Sequence, residues 1–172
     1  MHSGRRLRAR LAAACLALAF AAGAYAAPGW ERLDWLIGSW TAAGGGAQQG
    51  AGDFTFALEA DGQELVRRSY TDYPAQEGKP AGRHEDTMVI ERLPRGRMRA
   101  TDRDDDGHVI HYEVRAPEPG SLEFVSTDPT GPRYRLTYRS APVGLEIWSE
   151  IAPPNDRDRF RPDLHWTARR TP

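Results

Sequence analysis

The chain has 172 residues, with 23 basic and 24 acidic side chains, a formal net charge of −1 and a single cysteine. That balance lacks the basic stripe that nucleic acid rewards, so nucleic acid is not an expected partner. One cysteine provides neither a disulfide framework nor a thiolate cluster for zinc or iron–sulfur.

At the N-terminus, Arg5, Arg6, Arg8 and Arg10 have no acidic neighbour and precede an apolar run over 11–22 and the small-residue triplet Ala24-Tyr25-Ala26. This charged, apolar and cleavable order predicts a secretory signal peptide over residues 1–26. The apolar run is shorter than the roughly 20 residues of a spanning helix, so no membrane span is expected once the signal is removed. Cleavage leaves 27–172 as a single domain. The signal takes four basic residues, no acidic one and Cys15, so the mature chain carries −5 and no cysteine. An exported, disulfide-free domain must rest on its core, which points to a bacterial periplasmic or secreted protein.

Trp30, Leu33 and Ile37 follow at helical spacing and predict a short amphipathic helix that turns at Gly38 and delivers Trp40 into a first strand. Beyond Gly44-Gly45-Gly46 the rhythm is that of strands. Residues 53–60 place Phe54, Phe56 and Leu58 on one face, and Asp61-Gly62 is a strong hairpin signal answered by 63–73. A loop over 74–83 precedes further strand patterns at 86–93, 97–103, 109–116, 122–127, 133–139, 145–151 and 164–170, with a second long connection at 153–163. With the segment at Trp40 there are ten. Turns too short for crossover helices force antiparallel pairing between sequence neighbours, and a meander of this length removes its exposed edges by closing. The expected fold is therefore all-β: a ten-stranded antiparallel meander barrel with a short N-terminal helix.

The stretch LDWLIGSW over 33–40, with GPRYRLTYR over 131–139, EIAPP over 150–154 and HWTARR over 165–170, resembles exported bacterial proteins of the lipocalin-like and nitrobindin-like sort. Gly38-Ser39-Trp40 resembles the G-x-W signature that opens such barrels. Arg169 or Arg170 resembles the basic residue that packs over that tryptophan, where a guanidinium on an indole face gains cation–π attraction. The resemblance implies a container for a small molecule. Nitrobindin-like proteins bind haem through a histidine near the C-terminus, which makes His165 the corresponding haem candidate.

Strand alternation alone nominates Phe54, Phe56, Leu58, Tyr134, Leu136, Tyr138 and Ile147 as interior wall. Arg67 shares a face with Leu65, which suggests an interior cation able to grip an acidic head group as fatty-acid-binding barrels do. Asp102-x-Asp104-x-Asp106-Gly107 with Glu113 satisfies the calcium-loop expression D-x-D-x-D-G-x5-E, although Pro94, Gly96 and Pro117 leave no room for flanking helices. His108 and His111 fall on opposite strand faces. No nucleophile elbow, H-E-x-x-H or phosphate loop is present, so a catalyst is not expected. The expected role is to bind a small hydrophobic or amphipathic molecule inside the barrel. A filled, non-binding barrel, a haem-binding nitrobindin-like protein and an enzyme that works through a buried carboxylate or histidine are the alternatives, and no cofactor is required unless haem meets His165 or calcium meets the aspartate loop.

Overall fold

A computed structural model describes residues 29–43 and 51–171; the predicted signal peptide lies outside the described residues. Ten strands follow in order: β1 (Gly38–Ala43), β2 (Ala51–Glu59), β3 (Glu64–Tyr73), β4 (Gly82–Arg92), β5 (Met98–Asp104), β6 (Val109–Arg115), β7 (Ser121–Ser126), β8 (Arg133–Ala141), β9 (Gly144–Ala152) and β10 (Arg161–Arg170). Each pairs antiparallel with its sequence neighbours, and β1 pairs with β10 to close the barrel, so no strand edge is left to template a foreign chain. The architecture is consistent with a calycin-like barrel. β4 starts at Gly82, earlier than its apolar pattern, because Tyr73 and Gly82 already pair across the β3–β4 hairpin.

The expected N-terminal helix is a correction. Only Glu31–Leu33 is helical, as a single 3-10 turn, with a further turn through Leu36. The buried set is Trp30, Leu33 and Leu36, three apart rather than alternating three and four. A tight 3-10 winding eclipses i and i+3, so it stacks these three side chains on one line where an α-helix would rotate them apart. Trp30 is anchored by its indole N–H, which donates to Gly62 O at 2.8 Å, and the segment plugs the end of the barrel.

At this closed end the interior is apolar and full. Trp40, Phe56, Leu65, Ile90, Val114, Leu122, Phe124, Leu145, Ile147 and Ala168 are all buried, each pointing inward by the two-residue period of its strand. Arg170, not Arg169, is the residue over Trp40: its guanidinium sits 4.4 Å from the indole ring and donates to Ile37 O at 2.7 Å and Trp35 O at 3.1 Å. Gly38 has φ of +136°, and a Cβ there would run into that guanidinium. The glycine, tryptophan and arginine are thus one device that pins the N-terminal turn across the barrel end.

Outward positions carry charge: Arg68 pairs with Glu59, Arg83 with Asp72, Arg99 with Glu91, and Arg115 with Glu113. A lipid-facing barrel would carry an apolar band in their place. No helix among the described residues is long and apolar enough to cross a membrane.

Candidate functional site: a polar floor beneath an aromatic cavity

The opposite end of the barrel is not filled. A cavity of about 320 Å³ opens there, lined by Phe54, Ile110, Tyr112, Tyr134, Leu136, Tyr138 and Trp166, with Arg67, Ser69 and Asp86 at its base. Tyr73 and Leu164, both substantially exposed, border it at the rim. Leu164 stands beside a register shift in the β9–β10 ladder, which turns the start of β10 away from strict alternation.

Four strands build the floor. β3 points Leu65, Arg67 and Ser69 inward, β4 points Asp86, Met88 and Ile90, β5 points Ala100 and Asp102, and β8 points Tyr138. Register places Ser69 opposite Asp86, and Met88 opposite both Arg67 and Asp102. The Arg67 guanidinium thus lies between two carboxylates. Its Nη1 donates to the Tyr138 hydroxyl at 2.9 Å, and its Nη2 donates to Asp86 and, at 3.4 Å, to Asp102. Ser69 Oγ donates to the second Asp86 oxygen at 2.7 Å. Tyr138 also meets Phe54, Phe56 and Phe124 edge-on, with ring centroids 5.3–6.0 Å apart. One side chain therefore joins the apolar core to the polar floor.

Burial opposes the charge of Arg67, but Tyr138, Asp86 and Asp102 outweigh it and hold the guanidinium cationic. Asp102 has the reverse balance: burial raises its carboxyl above the usual carboxylate range, against the pull of Arg67 and with the push of Asp86 and Asp104. Burial likewise raises the phenols of Tyr112 and Tyr138 and keeps both protonated. Two buried polar atoms have no hydrogen-bond partner among the described residues, Arg67 Nε and Asp102 Oδ1. Unpaired groups of this kind are costly in a protein interior, where most buried polar groups are hydrogen-bonded.

The interior candidates divide. Phe54, Arg67, Tyr134, Leu136 and Tyr138 border the cavity, whereas Phe56, Leu58 and Ile147 point inward but lie in the packed core beside and below it. Arg67 is interior as expected, but it is not free to grip an acidic head group, because Asp86 and Asp102 already flank it. The calcium-loop residues are not brought together. Asp102 turns to Arg67, Asp104 accepts from the His108 backbone and ring at 2.7 Å each, and Glu113 lies on the outer face of β6 against Arg115. His84, Asp104 and Asp106 instead offer donor atoms within 4.8 Å of one another at the open rim. His165 is on the outer face of β10, stacked on Trp148 at 4.9 Å, and does not border the cavity.

Asp86, Tyr112 and Trp166 were not singled out in the sequence, although a signal existed. Asp86, Met88 and Ile90 form an alternating set, and so do Ala100 and Asp102, which marks both aspartates as inward. A larger depression of about 1300 Å³ runs along β5 and β6, but side chains of both strand faces line it, and its Arg99 and Arg115 are engaged by glutamates. Its arginine–glutamate pairs make it ordinary wet surface. In comparison with known proteins, no family model and no curated protein matches this chain.

Proposed function

We propose that the protein is an exported, lipocalin-like binding barrel that holds one small amphipathic molecule in the cavity at its open end. The observation that carries this is the pairing of an aromatic-walled cavity with a polar base at which Arg67, Ser69 and Asp86 converge. Ligand pockets combine these features: mostly apolar walls and a few convergent polar groups that fix orientation. The volume of about 320 Å³ lies at the lower end of the range of about 300–1,000 Å³ for such pockets, which favours a compact ligand over a long acyl chain. The exposed Tyr73 and Leu164 at the rim extend the apolar surface outward. Export follows from the signal pattern over 1–26, and the charged outer face suits a water-bathed barrel.

Native mass spectrometry of protein purified from its own compartment tests the proposal. A small-molecule mass retained under gentle conditions and released on denaturation is the expected result. Bare protein across repeated preparations would instead favour a filled barrel with a structural role.

A further inference from the structure

The charge of the cavity floor selects the kind of molecule it takes. Among the described residues Arg67 is the only cation at the base, its side chain is nine-tenths buried, and both its terminal nitrogens are engaged. Against that single positive charge stand Asp86 and Asp102. With both ionised the floor carries −1, and with Asp102 protonated it carries zero, so neither state is positive. Arg135 also touches the cavity, but its guanidinium is held on the outer side by Glu150 at 2.6 and 2.7 Å.

An anionic ligand placed on this floor would bring a third carboxylate to one guanidinium. It would meet repulsion from Asp86 and Asp102 in a site shielded from water, where charges interact more strongly than in solvent. Of the three Arg67 guanidinium nitrogens only Nε is unengaged, and it is buried. An ammonium has the opposite balance. Asp86, partly accessible at the cavity base, offers it a carboxylate, and Asp102, buried against Arg67, adds its charge to the floor without lining the cavity. The rings of Phe54, Tyr134, Tyr138 and Trp166 surround the same space with π faces and edges that tolerate an apolar body and attract a cation over a face.

We infer that the cavity takes a small amphipathic amine, its ammonium directed at Asp86 and its apolar or aromatic body against Phe54, Tyr134 and Trp166. This rests on the small-molecule-binding reading above and narrows it to the class opposite to that of an arginine-clamped fatty acid.

Three probes of nearly equal size test it by calorimetric or NMR titration of the purified protein: 2-phenylethylamine, 2-phenylethanol and phenylacetate. The amine is expected to bind about tenfold or more tighter than the alcohol, as one charge-assisted hydrogen bond allows, and the carboxylate is expected to bind weakest. Asp86→Asn should reduce the amine's advantage toward the alcohol's level and Asp102→Asn, which acts only through its charge, should reduce it by less, with folding checked by thermal melting; Glu91→Gln on the outer face should leave it unchanged. Equal binding of amine and alcohol, or tighter binding of phenylacetate, overturns the inference while leaving a binding barrel in place. No binding of any probe overturns the inference together with the binding reading.

Discussion

The two ends of this barrel are built from the same strands and behave as different materials. At the closed end the buried inward positions are apolar, from Trp30 and Trp40 to Leu122 and Ile147, and they pack against one another. At the open end the same strands, one or two inward positions further along, present Arg67, Ser69, Asp86, Asp102 and Tyr134, and a cavity remains. The first arrangement gains by burial and close packing. The second accepts a buried ion cluster with unpaired atoms, which well-packed apolar residues would usually match or better in stability. Apolar packing is concentrated at one end, and at the other a buried ion cluster takes its place.

Substitutions at the two ends should therefore fail in different ways. The largest expected effect is at the closed end, where Phe124→Ala removes a fully buried ring from the contacts with Tyr112 and Tyr138; it should cost about 3–5 kcal/mol at any pH in denaturant titration. A loss below about 1 kcal/mol would mean that this end is not the packed anchor described here.

Next comes Arg67→Met, which leaves Asp86 and Asp102 without their cation and should cost roughly 3 kcal/mol near neutral pH. Unlike the phenylalanine, it should recover stability as the pH falls into the carboxyl range, because protonation relieves the stranded charges. A pH-independent loss would show that packing rather than charge holds the floor.

Smaller again, Arg170→Ala removes a cation–π contact and two hydrogen bonds to turn carbonyls, and should cost about 1–2 kcal/mol. Its signature is local: amide hydrogens of residues 30–37 should exchange faster while those of β3 and β4 do not change.

The smallest expected change has the opposite sign. The folded-state pKa of Asp102 is raised, so the native state binds its proton more readily than the unfolded chain does. Stability therefore falls as pH rises from the unfolded carboxyl value toward the raised one. Asp102→Asn removes that loss. It should be near neutral in acid and more stable than the parent near pH 7, measured as the difference between the two melting profiles across pH. A variant that is less stable at neutral pH would mean that the ion pair with Arg67 outweighs burial. The same variant is expected to bind amines worse, so higher stability with weaker binding would mark Asp102 as a residue kept for the ligand.

Much of this was legible in the chain. The ten strands, their order and the closed meander follow from two-residue alternation punctuated by turn residues, because neighbouring strands with short connections have no other way to pair. Arg67 was legible as interior from Leu65 beside it. The N-terminal turn was misjudged because Trp30, Leu33 and Ile37 fit an α-helical period as well as Trp30, Leu33 and Leu36 fit a 3-10 one, and only packing against the barrel end separates the two. The aspartates were misjudged for a different reason. Asp102, Asp104, Asp106 and Glu113 form a calcium expression when read as a line, but in a hairpin Asp102 faces inward and Glu113 outward, so proximity in the sequence does not become convergence in space.

The alternation of this sequence by itself determined a closed antiparallel barrel and which side chains face its interior, since period and turn chemistry are local properties. Only the tertiary structure decided what those inward side chains make. The register across β3, β4 and β5, together with β8 on the facing wall, sets two carboxylates and a phenol around one guanidinium. That register results from barrel closure, which depends on all ten strands at once and is not carried by any one of them.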